Sequence, residues 1–184
     1  ETILGNSFVL GPGGKGSNQS VAAAMAGGNV HFITRLGNDA FADIARPTWA
    51  KAGVTPQVKI DHNSYTGAAY IFIEEATGNN AIIVSPGAAG RVSEQDVEEK
   101  ADLIASAAVF VTQLEQPIPA AKRGLEIARA AGVTTILNPA PAATLTDDIL
   151  ALCDYVTPNE SETESLTGLP VTTVAEAEAA ADAL

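Results

Sequence analysis

The stretch Gly11-Pro12-Gly13-Gly14-Lys15-Gly16-Ser17-Asn18 is the most distinctive part of this sequence, and the rest of the chain is interpreted outward from it. Its four glycines allow positive φ and a close approach of the backbone to a ligand. The helix-forming residues that follow, through Met25, predict that the loop leads into a helix. Because N–H groups at a helix N-terminus lack partners and carry the positive end of the dipole, we expect an oxygen-rich ligand to bind here.

Several known motifs overlap in this loop. Its glycine spacing satisfies the G-x-G-x-x-G dinucleotide fingerprint, but that spacing alone is weakly specific, and the strand pattern before it is short. A P-loop requires Ser or Thr directly after Gly-Lys, and Gly16 does not meet that requirement. A tight turn that caps a helix is the simplest alternative, although such a turn needs neither Lys15 nor Asn18.

Composition and charge narrow the classes of function. Apolar residues make up 46% of the 184 residues and aromatic residues 5%, which is typical of packed α/β layers. The net charge of −12 argues against a nucleic acid or an anionic membrane as partner and fits an acidic cytoplasmic enzyme. Cys153 is the only cysteine, which excludes an intramolecular disulfide, and its apolar neighbours indicate a buried residue and not a nucleophile. The sequence shows neither a signal peptide nor an apolar run of membrane length.

Hydrophobic periodicity predicts an α/β fold. Helical and strand patterns alternate along most of the chain, which implies right-handed crossovers and a mostly parallel sheet with helices on both faces, a three-layer α/β/α arrangement. Residues 57–85 instead read as strands only, with a hairpin signal at Thr77-Gly78-Asn79-Asn80, and predict a small antiparallel sheet. Residues 2–10 are expected to form one extended strand. Pro47 lies inside a helical pattern and is expected to kink or split that helix.

Polar residues follow two neighbouring strands of the predicted sheet at their carboxyl ends, where ligands of parallel sheets gather. Glu115 follows a strand that ends at Thr112, and its carboxylate is suited to accept hydrogen bonds from sugar hydroxyls. An exposed loop acid fits the same spacing equally well. Asn138 ends the next strand before two prolines, either as a site residue or as a turn residue that bonds to its own backbone.

Asn159 and Glu162 follow the last predicted strand and allow two interpretations. Asn at the N-cap with Glu three residues later is a capping box, which would stabilise the start of a helix. Amide and carboxylate oxygens are also the hard ligands that Mg²⁺ accepts, directly or through water, so the pair is a candidate for a magnesium–phosphate group.

Taken together, these segments resemble the ribokinase-like (PfkB) family of carbohydrate kinases over essentially the whole chain. The matching stretches are residues 13–19, 113–115, 138–142 and 157–162. The resemblance implies that the sugar is bound by Gly14, Lys15, Gly16, Ser17, Asn18 and Glu115. It further implies that Asn159 binds nucleotide phosphate, that Glu162 organises Mg²⁺, and that the γ-phosphoryl of ATP is transferred to the 5-hydroxyl of D-ribose, with K⁺ as a second cation.

The resemblance also implies a quaternary structure and missing parts. A small antiparallel sheet serves as a lid over the sugar in that family, often shared between two subunits, so residues 2–10 and 57–85 are expected to form a lid in a homodimer. The family's first strand lies upstream of Glu1, and its Gly-Ala-Gly-Asp segment, with the catalytic base and most of the nucleotide pocket, lies beyond Leu184. We therefore expect the 184-residue chain to be incomplete at both ends and inactive alone. Another sugar or nucleoside kinase, a non-catalytic sugar-binding remnant and a dinucleotide-binding domain remain as alternatives.

Overall fold

Helices and strands alternate along residues 4–184, which are the residues described by the structure, a computed structural model. The helices are α1 (Lys15–Met25), α2 (Ala40–Ala52), α3 (Glu94–Glu98), α4 (Ala101–Ala105), α5 (Ile118–Ala130), α6 (Asp147–Leu150), α7 (Glu160–Thr167) and α8 (Val174–Ala181), with a 3₁₀ turn at Ala89–Arg91. The strands are β1 (His31–Leu36), β2 (Thr55–Ile60), β3 (Thr66–Ile73), β4 (Asn80–Gly87), β5 (Val109–Thr112), β6 (Thr134–Leu137) and β7 (Tyr155–Val156).

Most strands pair in parallel, which confirms the predicted α/β class. Strands β1 and β2 form one parallel pair, and β5, β6 and β7 form a three-stranded parallel sheet in that order. The parallel part is therefore two sheets and not one continuous sheet. Residues 57–60, which were expected in the antiparallel block, belong to β2 and pair with β1, so Lys59 lies opposite Arg35. A strand's own pattern does not name its partner, and here helix α2 supplies the crossover that a parallel pair requires.

The predicted antiparallel sheet is the hairpin of β3 and β4. Its register places Tyr70 opposite Ile83 and Phe72 opposite Ala81. The strand expected over residues 2–10 lies partly outside the described residues, and its described part, residues 4–10, adopts no helix or strand. Because the dinucleotide fingerprint requires a strand directly before the glycine loop, the described residues do not provide its structural context.

Helix α2 is continuous through Pro47, so of the two expected effects, a kink or a split, the split does not occur. The helix is fixed at both ends: the Asp39 side chain accepts from the Ala42 N–H, and Gly53 ends it in the left-handed conformation with φ of 84°. Trp49, two residues after the proline, is only 2% exposed and packs edge-on against the Phe32 ring. Burial of such an aromatic side chain outweighs the loss of the hydrogen bond that proline cannot donate.

Helix α5 packs against β5, the strand that precedes the loop containing Glu115. A side chain at Gly124 would place its Cβ 2.4 Å from the Phe110 ring, so the helix and the strand touch at a position that only glycine permits. Leu125 on α5 and Leu137 on β6 are fully buried in the same layer. The carboxyl ends of β5 and β6 are therefore held by a well-packed core.

Asp96 joins α3 to the β1–β2 pair through ion pairs. Its carboxylate lies 2.6 Å from the Arg35 guanidinium and 2.7 Å from the Lys59 ammonium, and it also accepts from the Ser93 N–H at the start of α3. Burial disfavours the ionised form of Asp96. The hydrogen bonds from Arg35, Lys59 and Ser93 outweigh burial and hold the pKa of Asp96 well below its usual value of 3.8.

Asp96→Asn is expected to reduce the free energy of unfolding by about 2 kcal/mol, because it keeps the helix cap but removes the nearer carboxylate partner of the partly buried Arg35, which then keeps only Asp61 at 3.5 Å. The pKa of Asp96 is lower in the folded than in the unfolded chain. Its contribution to stability is thus present above pH 3.8 and lost as the pH falls toward the folded-state pKa. Urea unfolding of the wild-type protein and of Asp96→Asn, at neutral and at acidic pH, measures the difference in the free energy of unfolding. Asp102→Asn, at an exposed position of α4, is the matched control. An equal loss of stability in Asp96→Asn and Asp102→Asn would contradict the stabilising role assigned to the Asp96 ion pairs.

Candidate functional site

The glycine loop delivers residues 15–18 into the first turn of a helix and not into a loop. Gly14 is the N-cap of α1, with φ of 92°, a backbone conformation that L side chains rarely adopt. The Asn18 N–H already donates to the Gly14 carbonyl at 2.9 Å, as the first helical turn requires. The prediction of a helix N-terminus at this stretch is therefore confirmed, with the start of the helix at Lys15.

Glu115 lies against this helix N-terminus. Its Oε2 accepts from the Lys15 backbone N–H at 2.7 Å, across 100 positions of sequence, and lies 3.6 Å from where a Cβ on Gly14 would stand. A carboxylate is stabilised there by the N–H group and by the positive end of the helix dipole. The structure thus brings together three predicted sugar-binding residues, Gly14, Lys15 and Glu115. It also shows that a carboxylate of the chain itself occupies part of the helix N-terminus.

Glu115 and Lys15 both have polar side-chain atoms left to bind a ligand. A carboxylate has about four lone-pair sites, of which the Lys15 N–H uses one. The Lys15 ammonium takes no part in the ion pairs found among residues 4–184. Asn18 is exposed on the same first turn of α1. An acceptor, a cation and an amide therefore lie near one helix end, a set of groups suited to a polyhydroxylated ligand.

Gly16 and Ser17 face the protein. A Cβ on Gly16 would stand 2.8 Å from the Gln113 amide nitrogen and 3.1 Å from the Phe32 ring, so this position has no room for a side chain. Ser17 is 7% exposed, and its hydroxyl accepts from the indole N–H of Trp49 at 2.8 Å. Packing accounts for the residue type at both positions. A role for them in sugar binding, through their backbone N–H groups, stays a prediction.

Asn138 ties together the ends of three strands. Its side-chain amide donates to the Thr157 carbonyl at 2.8 Å, and its backbone N–H donates to the Thr112 carbonyl at 2.9 Å. The following Ala140 carbonyl accepts from the Leu114 N–H, one residue before Glu115. The side chain of Asn138 thus bonds to a neighbouring strand end, so the interpretation as a turn residue that bonds to its own backbone is wrong. A role of Asn138 in the site stays a prediction.

Asn159 and Glu162 form the predicted capping box at the start of α7. The Asn159 side-chain oxygen accepts from the Glu162 N–H at 2.8 Å, and the Glu162 carboxylate accepts from the Asn159 N–H at 2.9 Å. Glu162 is 6% exposed, whereas Asn159 is exposed. The capping interpretation is therefore confirmed. The contacts to phosphate and magnesium stay a prediction.

Asn159 and Glu162, at the start of α7, offer Mg²⁺ only two protein side chains as ligands. Residues 4–184 contain no group of three or more His, Cys, Asp or Glu side chains arranged to hold a metal ion. One carboxylate and one amide suit a magnesium ion that keeps several waters and is bound mainly by phosphate oxygens. Glu162 has one oxygen engaged by the cap and a second oxygen left for a water of such an ion.

The surroundings of Cys153 disfavour a nucleophilic thiolate, in line with the interpretation from the sequence. It is half-buried, and its thiol contacts the Ile149 carbonyl. Burial raises the pKa of the Cys153 thiol to about 11, so it is protonated at neutral pH and lacks the reactive thiolate.

Within the part of the chain that the structure describes, no helix combines the length and the apolar composition needed to cross a bilayer.

Comparison with known proteins assigns the family. The model of the pfkB family carbohydrate kinases matches residues 1–184. The chain is 37% identical to the ribokinase of Haemophilus influenzae over 93% of its length and 56% of that protein. It is 36% identical to the deoxyribokinase of Salmonella typhi over its whole length and 60% of that protein. The structure of Arabidopsis thaliana ribokinase complexed with ribose and ATP superposes on 99% of the chain and 60% of that protein, with a TM-score of 0.86 and 28% identity.

The chain therefore belongs to the pfkB family of carbohydrate kinases, as its motifs predicted. It spans a little over half the length of the relatives it matches. Sequence reasoning missed two structural features of the site, the contact of Gln113 with Gly16 and the bond from Trp49 to Ser17. The stretch 113–115 was a signal for the first, whereas the second has no local signal because its partners are 32 positions apart.

Proposed function

We propose that the protein containing this chain transfers the γ-phosphoryl group of ATP to the 5-hydroxyl of D-ribose, and that this chain carries its sugar-binding part. The observation that carries the proposal is the Glu115 carboxylate held on the N-terminus of α1 beside Lys15. The likeness to a plant ribokinase complexed with ribose and ATP, and to ribokinases by sequence, supports the choice of sugar and nucleotide.

The residues of this chain supply recognition and orientation. Glu115 accepts hydrogen bonds from sugar hydroxyls, and Lys15 and Asn18 bind the same sugar from the first turn of α1. Because α1 and the end of β5 are both packed into the core, the sugar is held in one orientation, which is the main task of a phosphoryl-transfer enzyme.

The phosphate end of the site lies at α7 in this proposal. The exposed Asn159 amide binds a nucleotide phosphate, and Glu162 orients water around Mg²⁺. When bound, Mg²⁺ neutralises the charge that develops on the transferred group. K⁺ belongs to the proposal by family resemblance, and we assign it no residue of this chain. The catalytic base is expected beyond Leu184, so none is assigned among these residues.

The β3–β4 hairpin is proposed as the lid over the sugar and as the contact of a homodimer. Tyr70, Phe72 and Ile83 lie on one face of the hairpin, and Ile71 and Ile82 lie on the other. All five side chains are more than half exposed. A two-stranded hairpin that exposes apolar side chains on both faces is marginal alone and gains stability when one face covers a ligand and the other a second copy.

We assign the face of Ile71 and Ile82 to the second copy, so Ile82→Asp is expected to convert the dimer into a monomer, because it places a charge on that face. Sedimentation velocity measures the mass of both forms. Glu75→Ala, in the hairpin turn, controls for a general effect on the hairpin. A wild-type protein that sediments as a monomer, or an Ile82→Asp protein that stays dimeric, would contradict the homodimer.

A cytoplasmic location also belongs to the proposal, because the substrate ATP and the acidic composition both fit it. Neither a nucleic acid nor a membrane is proposed as partner, since the net charge is −12.

A deoxyribose kinase is the second candidate, because the identity to a deoxyribokinase, 36%, is close to that of a ribokinase, 37%. The deciding experiment is a coupled kinase assay with ATP and Mg²⁺. It is run on the 184-residue chain and on the longest natural protein that contains it, hereafter the whole protein. We expect the whole protein to use D-ribose with a higher kcat/KM than 2-deoxy-D-ribose, D-fructose or adenosine, and the 184-residue chain to be inactive.

Each other outcome changes the proposal in a defined way. A preference for 2-deoxy-D-ribose selects the second candidate, and a preference for fructose or a nucleoside selects another kinase of the family. Failure of the whole protein on every acceptor favours a non-catalytic sugar-binding protein. Activity of the 184-residue chain would show that a base lies within it.

A further inference from the structure

Gln113 occupies the space between the end of β5 and the first turn of α1. Its side-chain oxygen accepts from the backbone N–H of Glu115 at 2.6 Å. Its amide nitrogen stands 2.8 Å from the position of a Cβ on Gly16. The Gln113 side chain therefore bonds to Glu115 and lies against Gly16, the neighbour of Lys15, whose N–H donates to the Glu115 carboxylate.

The contacts of Gln113 indicate a role beyond packing. The turn after β5 must direct the Glu115 carboxylate back toward the Lys15 N–H, and the bond from the Glu115 N–H to Gln113 fixes the backbone from which that carboxylate extends. The absence of a side chain at Gly16 leaves the space that the Gln113 amide occupies. A glycine on the helix and a long amide on the strand end are thus complementary.

We infer that Gln113 is a positioning residue, which holds Glu115 on the N-terminus of α1 and through it sets the affinity for the sugar. This inference rests on the proposed function for its kinetic consequence. Gln113 affects the sugar only through Glu115 and not by direct contact. Substitutions of Gln113 are therefore expected to change sugar binding only while Glu115 is present.

Gln113→Met is the informative variant, because it keeps the length of the side chain and removes the acceptor for the Glu115 N–H. In the whole protein it is expected to raise the KM for D-ribose roughly threefold to tenfold, the range for loss of one hydrogen bond, with little change in kcat. In a Glu115→Ala background the same substitution is expected to have no further effect on KM, because the group that it positions is gone. Gln113→Glu keeps the acceptor and is expected to retain the orientation of the Glu115 N–H.

A second readout does not depend on activity. Amide hydrogen exchange of Glu115, followed by NMR, is expected to be faster in Gln113→Met than in the wild-type protein and in Gln113→Glu. Equal protection in all three would overturn the inference, and so would additive effects of Gln113→Met and Glu115→Ala on KM. If the wild-type whole protein phosphorylates no sugar, the proposed function fails, and the exchange rates alone decide whether Gln113 positions Glu115.

Discussion

Glu115→Ala in the whole protein is expected to raise the KM for D-ribose by about 10- to 100-fold, with a smaller effect on the KM for ATP. The substitution removes a charged acceptor of sugar hydroxyls, and hydrogen bonds to charged groups contribute about 1.5–3 kcal/mol each. It also leaves the Lys15 N–H without its carboxylate partner. Steady-state kinetics with each substrate varied in turn measures the effect.

The matched control for Glu115→Ala is Glu178→Ala, which removes a carboxylate from an exposed position of α8. Glu115→Gln separates charge from shape, because it keeps a side-chain oxygen for the Lys15 N–H but reduces the lone pairs left for the sugar from about three to about one. We expect its KM to lie between those of the wild-type protein and Glu115→Ala. A wild-type KM for ribose in Glu115→Ala would contradict the sugar-binding role of this residue.

Features of the fold with a local physical cause were predictable from the sequence. The capping boxes at Ser93–Asp96 and Asn159–Glu162 need only residues three positions apart, and both are present. The hairpin of β3 and β4 follows from a change of period and a turn that contains Gly78. Such features depend on hydrogen bonds within one turn, and their residue types are therefore visible in a short window.

Features that depend on partners distant in sequence were not predictable from the residues alone. The alternation of β2 is the same whether the strand joins β1 or the hairpin, and only the tertiary structure selects the parallel partner. Of the kink or split expected at Pro47, the split is absent, and burial of Trp49 in the core stabilises the helix after the proline. Propensity describes the isolated helix, and packing decides the folded one.

The candidate site combines a feature that is local in sequence with one that depends on a distant residue. The glycine stretch predicts a helix N-terminus, which is a local feature, but the carboxylate that occupies it comes from a residue 100 positions away. A search for unpaired N–H groups would therefore assign this helix end to an external anion. Glu115 places a charged acceptor at this helix end, and in the proposed function that acceptor binds neutral hydroxyl groups and not a phosphate.

Glu162→Gln is expected to reduce kcat/KM by about 10- to 100-fold and to raise the Mg²⁺ concentration needed for half-maximal activity, as loss of a group that orients metal-bound water does. The substitution keeps a side-chain oxygen for the Asn159 N–H, so the capping box persists and the free energy of unfolding is expected to change by less than about 0.5 kcal/mol. Activity titrated with Mg²⁺ and urea unfolding are the two measurements. Glu164→Gln, at an exposed position of the same helix, is the control.

Glu162→Ala completes the test because it removes both the charge and the cap. It is expected to lose about 1 kcal/mol of stability in addition to the activity, the usual cost of a lost helix cap. If Glu162 serves only the helix, Glu162→Gln keeps wild-type activity and Mg²⁺ dependence, and only Glu162→Ala is impaired. If it also organises the ion, both variants lose activity to a similar degree, although only one of them loses stability. The same carboxylate can thus be assigned to the cap, to the magnesium ion or to both, since the two roles respond to different substitutions.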